Sequence, residues 1–421
     1  MLKKSLRKTL KSKFLENFSY LTILQLVNVI IPLIIYPYLI IRLGGETYGK
    51  VIYAASLNAY LLVIVNYGFD ISAVKNVAEN KKNKQILFEL FKNVLWSRIF
   101  LLLISFLILI IAMFTIPFVE ENRALCLASS LVTFGEFFFP RWYFLGLEQL
   151  KYTTFTVVIS KVLSLLLLFI FVNDKTDYLL VPIIMGLGTI VGSTFSMRQA
   201  LSPIWKKEYG ISSLKPDLQK VRFLINDGFS FFLSRGFVVV REKAGILIVG
   251  ELFGFREVSV FDLIQKIIKV LTIPLDMINT VIFPRVANTK DLSIVKKGAG
   301  IALAFAILSY LIILFFPFES VDFLKNNDLF TTSLDLLYIF GFGLILQVFV
   351  YFLGNTVLVI FGYNKEFNYT VIFGGIVYLG CLSYGYIATI TISWIGYCTL
   401  ISYLFIILTR IYFVNKYKLW R

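Results

Sequence analysis

Five cations lie deep inside two long apolar stretches in the second half of this chain: Arg235, Arg241, Lys243, Lys266 and Lys269. Only Glu242 and Asp262 are carboxylates at comparable depth. The interior of a bilayer rejects a Lys or Arg by roughly 2.5–3.5 kcal/mol on insertion scales, so a membrane protein keeps one where it faces a wet cavity or a charged ligand. The pattern therefore predicts that an anionic cargo moves through a membrane.

The composition also indicates a membrane protein. Of the 421 residues, 58% are hydrophobic and 42 are Phe, and the mean hydropathy is +0.82, far above that of an average soluble domain. The net charge of +16 does not indicate nucleic-acid binding, because the cations lie between apolar stretches. The chain has no His and three isolated Cys, so no metal or other cofactor is expected.

Twelve apolar stretches are each near or above the roughly 20 residues needed to cross about 30 Å of hydrocarbon. The predicted spans are Asn17–Ile41, Tyr48–Phe69, Val94–Pro117, Ala124–Leu145, Thr153–Val172, Tyr178–Leu201, Phe223–Gly250, Glu257–Phe283, Gly298–Phe318, Ser333–Phe361, Phe367–Ile387 and Thr389–Val414. Outside the membrane, 26 Lys and Arg are assigned to one side and five to the other. Because cytoplasmic loops carry the excess of positive charge, both termini are predicted to be cytoplasmic.

The longest polar break in the middle of the chain, 203–222, is rich in Lys. It predicts an N-terminal lobe at 1–202, a cytoplasmic linker at 203–222 and a C-terminal lobe at 223–421. With six spans in each lobe, both lobes enter the membrane in the same direction, as in transporters built from parallel repeats. No loop is long enough for an ATPase or catalytic domain, so the sequence predicts a non-enzymatic protein whose active transport would use an ion gradient.

Several segments resemble Wzx-type polysaccharide flippases. The stretches Leu43–Gly49 and Asn66–Ala73 are similar to the first helix pair of that family. Phe139–Tyr152 is similar to its pattern of a Pro with aromatics, then Gly-Leu-Glu and Lys-Tyr. Phe261–Ile267 and Phe283–Val286 are similar to the start and end of its eighth helix. The order and spacing of these motifs extend the resemblance over essentially the whole chain, with a departure at Asp70, where the family pattern more often has Asn.

The resemblance implies the fold class of the multidrug/oligosaccharidyl-lipid/polysaccharide (MOP) exporters. That fold is an all-α integral membrane protein with about 12 transmembrane helices, whose two six-helix lobes form a V-shaped, MATE-like arrangement around a central cavity. The implied cargo is an undecaprenyl-pyrophosphate-linked oligosaccharide, the repeat unit of O antigen or a similar surface polysaccharide, flipped across a bacterial inner membrane. Membrane lipids, a polysaccharide polymerase and a chain-length regulator are the other partners expected.

Six cations are candidates for a cavity lining that binds the diphosphate: Arg235, Arg241, Lys266, Lys269, Arg141 and Lys161. Arg offers a planar fork of two parallel donors to phosphate oxygens, and Lys offers a point charge. On the eighth span, Asp262, Lys266 and Lys269 share one polar face with Asp276. Asp262 and Lys266 are also i,i+4 neighbours, which could pair within the helix instead. Arg141 could likewise pair with Glu136 or lie in the headgroup region.

Ten further residues have predicted roles in transport. Four carboxylates are candidates for binding a coupling ion: Asp70, Glu136, Glu242 and Asp262. Six amides are candidates for hydrogen bonds to sugar hydroxyls: Gln25, Asn28, Asn58, Asn66, Gln347 and Asn355. The same amides could instead hold helices together inside the membrane.

Two other functions compete with this prediction. An ion-coupled multidrug antiporter of the same superfold would export cations, and the positive membrane interior argues against it. A membrane glycan polymerase or transferase would need a large external loop or a clustered acidic pair, and the sequence shows neither.

Overall fold

The structure is a computed structural model that describes residues 2–204, 215–316, 334–388 and 391–420. Within these ranges every regular element is a helix. The first half contains α1 (Leu2–Leu43), α2 (Gly45–Asn66), α3 (Phe69–Glu79), α4 (Lys84–Thr115), α5 (Pro117–Glu121), α6 (Arg123–Phe137), α7 (Arg141–Gly146), α8 (Leu150–Phe171) and α9 (Leu180–Ile204), with a 3-10 turn at Lys175–Leu179. The second half contains α10 (Leu218–Leu252), α11 (Phe255–Thr289), α12 (Leu292–Phe315), α13 (Leu334–Tyr351), α14 (Asn364–Ile387) and α15 (Ser393–Lys416), with a π-helix at Phe352–Val359.

Eleven helical segments in the described ranges are long and apolar enough to cross a membrane. They correspond to eleven of the twelve predicted spans and confirm the prediction of an all-α, multi-pass membrane protein. The predicted span Ala124–Leu145 differs, because α6 ends at Phe137 and Pro140 separates it from α7. Pro has no N–H for the carbonyl four residues earlier and its ring crowds that carbonyl, so it kinks or breaks a helix. At Pro140 the helix breaks, whereas α1 continues through Pro32 and Pro37. The 15 residues of α6 rise only about 22 Å.

The chain divides into two compact units, Met1–Arg235 (unit 1) and Gly236–Arg421 (unit 2). The boundary falls inside α10, so the first half of this helix belongs to unit 1 and the second half to unit 2. The linker at 203–222 remains a prediction, and its residues 205–214 lie outside the described residues.

An aromatic core holds the broken helices of unit 1 together. Phe91 of α4 lies 5.5 Å from Trp142 of α7 and 5.4 Å from Tyr143 between ring centroids. Tyr67, in the turn between α2 and α3, stacks on Phe232 of α10 at 4.6 Å. These contacts fix the ends of α2, α3, α4 and α7 against one another, and Asp70 and Arg141 lie at two of those ends.

Gly68 makes the turn from α2 to α3 possible. Its φ is +77°, and a Cβ at this position would lie 2.6 Å from the Cβ of Phe231. Both the left-handed backbone and the close approach of α10 therefore require a glycine. We expect Gly68→Ala to lower the free energy of unfolding by about 1–3 kcal/mol, measured by chemical unfolding in mixed micelles.

Gly300 of α12 is the matched control, because a Cβ there would meet nothing within 4 Å. Gly300→Ala should leave stability unchanged or raise it by up to about 1 kcal/mol, as Ala favours a helix over Gly. Equal losses in the two variants would contradict the role assigned to Gly68.

Arg410 is one of the 26 cations counted above as lying outside the membrane, but it is a buried residue of unit 2. That assignment is wrong, because the side chain lies inside α15 and only 2% of the residue is exposed. Its Nη1 donates to the Val350 carbonyl, and its Nε donates to Thr370 Oγ1 at 3.0 Å. The guanidinium also lies over the Phe367 ring, 4.8 Å from the centroid. Arg410 thereby links α15 to α14 and to the end of α13.

Candidate functional site

Four residues predicted from the sequence come together in one small pocket of unit 1. We call it the Arg98 pocket, and its lining consists of Asn66, Phe69, Asp70, Arg98, Glu136, Phe139, Arg141 and Trp142. The cavity has a volume of about 10 Å³, which is room for one water molecule. Candidates for sugar binding (Asn66), ion coupling (Asp70, Glu136) and diphosphate binding (Arg141) are therefore neighbours.

Arg98 is the central side chain of this pocket, and the sequence reasoning missed it. The residue is 3% exposed. Its Nη1 donates to the Phe139 carbonyl at 3.0 Å, and its Nη2 donates to the Glu136 carbonyl at 2.7 Å and to Asn66 Oδ1 at 3.2 Å. The sequence does hold a signal, because Arg98 lies inside the predicted span Val94–Pro117 with no carboxylate three or four residues away on either side.

The helix break at Pro140 leaves backbone carbonyls available to accept hydrogen bonds from Arg98. In a continuous helix, the Glu136 carbonyl would accept from the N–H of residue 140, and Pro140 has none. The carbonyl accepts instead from Phe139 N at 3.0 Å and from Arg98. A carbonyl oxygen has two lone pairs, so Arg98 is its second donor, and the same guanidinium also reaches the Phe139 carbonyl.

The two carboxyl groups of the pocket lie among more cations than they can neutralise. Asp70 is in the first turn of α3, where the helix dipole favours a negative charge. Asp70 and Glu136 act electrostatically on Arg98, and Glu136 also acts on Lys161 of α8. Asp70, Glu136 and Lys161 are partly buried, and Arg98 is buried.

The Asn58 side chain forms a hydrogen bond between two helices. Its Oδ1 accepts from Thr133 Oγ1 at 2.7 Å, joining α2 to α6, and the residue is buried. Gln25 and Asn28 are partly buried on α1. Sugar binding by these three residues remains a prediction, and the observed bond of Asn58 supports the alternative that it holds helices together.

The polar face of α11 contains two ion pairs in unit 2. Lys266 donates to Asp262, which is the pairing within the helix that their spacing allows. Lys269 Nζ lies 4.0 Å from Asp276 Oδ2, and the Lys269 side chain is 63% exposed. Asp276 also hydrogen-bonds the Tyr351 hydroxyl, which accepts from Gln347 Nε2 at 2.7 Å. The α11 face is thus continued by polar side chains of α13.

The remaining candidates of α10 and the π-helix occupy different surroundings. The Arg241 guanidinium lies 5.1 Å from the centroid of the Tyr403 ring, a cation–π contact within unit 2. Arg235, the last residue of unit 1, is exposed. The Glu242 side chain is also exposed, while its carbonyl accepts from Gln265 Nε2 at 3.4 Å. Asn355 is partly buried in the π-helix.

Solved structures with a similar fold are membrane transporters. One is the inward-facing conformation of a multidrug resistance MATE family transporter of the MOP superfamily, with a TM-score of 0.64 and 14% identity over 93% of this chain and 99% of that one. Another is a MOP superfamily transporter from Pyrococcus furiosus, with a TM-score of 0.57 and 14% identity over 96% of each chain. The fold is therefore that of the MATE-like transporters.

The family model for polysaccharide biosynthesis protein matches residues 14–290, and the chain belongs to this family. A relative from Escherichia coli (strain K12), named "Putative O-antigen transporter", is 27% identical over 288 residues, 68% of each chain. A relative of the same name from Shigella dysenteriae is 23% identical over 296 residues, 69% of this chain and 72% of its own. These relatives are named as transporters and not as enzymes, and the chain is classed with them.

Proposed function

We propose that this protein flips an undecaprenyl-pyrophosphate-linked oligosaccharide, the repeat unit of O antigen or a similar surface polysaccharide, across the bacterial inner membrane by alternating access. The observation that carries the proposal is the exposure of Lys269. It lies near the middle of a helix long enough to span a membrane, with one carboxylate at 4.0 Å. An ammonium exposed at this depth is stable facing water or an anion, and acyl chains would reject it.

Arg241 and Lys269 give unit 2 two kinds of cation for a diphosphate. Arg241 can place two parallel N–H donors on phosphate oxygens, and Lys269 can follow a moving charge. Neither is held by a short ion pair among the described residues, in contrast to Lys266. The affinity of these cations for the diphosphate would be moderate, because the cargo must be released on the other side of the membrane. The relatives' names support an O-antigen precursor as the cargo.

Coupling to an ion gradient would use the carboxyl groups of the Arg98 pocket. Asp262 is paired with Lys266, and Glu242 is exposed, whereas Asp70 and Glu136 line a space that fits one water or one small ion. Whether the ion is a proton or sodium follows from transport assays of Asp70→Asn and Glu136→Gln under each gradient. A variant that responds to both gradients like the parent chain would exclude its carboxyl group.

The cellular setting is part of the same proposal. The excess of loop cations supports cytoplasmic termini, and the proposed cargo supports a location in the inner membrane. A polysaccharide polymerase and a chain-length regulator would act on the product after flipping.

Expression in a strain that lacks its own O-antigen flippase tests the function. We expect the chain to restore surface polysaccharide at normal length and to leave drug accumulation unchanged. Reduced accumulation of cationic drugs without restored polysaccharide would favour the multidrug antiporter. Altered glycan length in a strain that already flips its precursor would favour a polymerase or transferase.

A further inference from the structure

An apolar groove runs between α14 and α15 on unit 2. Its lining consists of Tyr369, Thr370, Phe373, Phe405, Leu408, Thr409, Tyr412 and Phe413. The volume is about 470 Å³, within the range of small-molecule sites. Both helices are long and apolar enough to span a membrane, and we therefore expect the groove to open among lipids.

The polar atoms of the lining are already used inside the protein. Thr370 Oγ1 accepts from buried Arg410, and Thr409 Oγ1 donates to the Phe405 carbonyl at 2.9 Å. What the groove presents is aromatic and aliphatic surface, with Phe373 and Leu408 strongly exposed. Such a surface is complementary to a hydrocarbon chain.

Two cations lie at one end of the groove. Lys365 is one helical turn before Tyr369, and Lys416 is one turn after Tyr412, so each lies on the same face as its tyrosine. Both lysines are exposed, and Lys416 Nζ lies 5.9 Å from the Tyr412 ring centroid. These positions place two ammonium groups where the headgroup of a lipid in the groove would lie.

The nearby carboxylate does not cancel this positive charge by pairing with either lysine at short range. Glu366 Oε1 accepts from the Tyr417 hydroxyl at 2.9 Å. That hydrogen bond is the largest cause of a raised pKa for Tyr417, because the neighbouring carboxylate favours the protonated phenol that donates to it. The first turn of α14 adds backbone N–H groups, because it has no side-chain cap.

The length of the groove fits one leaflet of a bilayer. From Phe405 to Phe413 its lining extends about 12 Å along α15, compared with about 15 Å for half of the hydrocarbon thickness. We propose that the groove binds an anionic diacyl phospholipid, with an acyl chain against Phe373 and Leu408 and the phosphate between Lys365 and Lys416. This inference does not depend on the proposed cargo.

The proposal is tested by photolabelling the full-length protein in nanodiscs. The probes are phosphatidylglycerol and phosphatidylcholine with a photoactivatable acyl chain, and the labelled peptides are identified by mass spectrometry. We expect labelling by phosphatidylglycerol on Tyr369–Phe373 and Phe405–Phe413. Water-soluble glycerol phosphate should not compete, since it lacks the chain.

Charge removal supplies the matched comparison. Lys365→Gln with Lys416→Gln should weaken phosphatidylglycerol labelling about tenfold, whereas Lys82→Gln with Lys84→Gln, two exposed cations of unit 1, should not change it. Thermal unfolding of both double variants verifies that they fold. Equal labelling by the two lipids, no effect of the first double variant, or stronger competition by polyprenyl phosphate than by phosphatidylglycerol would each overturn the proposal.

Discussion

Replacing Arg98 by Gln should lower the free energy of unfolding by about 3–5 kcal/mol. The change removes the donors that Arg98 supplies to the Phe139 carbonyl and to Asn66 Oδ1, and it leaves the Glu136 carbonyl with Phe139 N alone. An unsatisfied buried acceptor costs roughly 1–3 kcal/mol. A Gln side chain is shorter and has one NH₂ group, so it cannot replace three hydrogen bonds. Chemical unfolding in mixed micelles measures the loss. Arg256→Gln is the control, because Arg256 is exposed at the start of α11.

A double-mutant cycle with Pro140 tests the physical reason. Pro140→Ala restores a backbone N–H that can donate to the Glu136 carbonyl, so this carbonyl then depends less on the hydrogen bond from Arg98. We expect Arg98→Gln to cost less in the Pro140→Ala background than in the parent chain. Equal costs in the two backgrounds would show that Arg98 does not compensate for the helix break.

Neutralising Arg241 or Lys269 should reduce transport at least tenfold while leaving protein levels in the membrane unchanged. Neither side chain is buried in a bonded network like that of Arg98, so Arg241→Gln and Lys269→Gln should fold. The loss follows from removing a cation that meets the diphosphate, and a charge-assisted hydrogen bond contributes roughly 1.5–3 kcal/mol. Restoration of surface polysaccharide in a flippase-deficient strain provides the measurement.

Two sets of controls separate charge from structure in that experiment. Lys269→Arg keeps the positive charge and should retain most of the transport, while Arg256→Gln and Lys297→Gln remove exposed cations elsewhere and should have no effect. Full transport by both Arg241→Gln and Lys269→Gln would remove these residues from the binding site.

Local patterns were enough to predict most of the helices and one of the ion pairs. Apolar runs of membrane length identified eleven spans, because hydrocarbon thickness sets that length. The Asp262–Lys266 pair followed from i,i+4 spacing. The helix of the predicted span Ala124–Leu145 is broken at Pro140, which hydropathy alone does not show.

Contacts between distant segments could not be predicted from the sequence. Arg98 bonds carbonyls 38 and 41 positions away, and Arg410 bonds residues 40 and 60 positions away. Asn58 and Thr133 are 75 positions apart. These partners depend on which helices pack together and on where backbone carbonyls lack a helical donor. The available signal was an arginine inside a predicted span with no carboxylate near it in the sequence, and Arg98 is such a residue.

The position of α10 has a consequence for the biogenesis of the protein. Lys220 pairs with Glu89 at 3.4 Å, Leu224 belongs to the aromatic core, and Gly228 packs on Tyr67. These residues leave the ribosome after all other elements of unit 1 have been synthesised. The first unit therefore stays incomplete until translation has passed Arg235, and a nascent chain stalled before α10 would expose that core to quality-control proteases.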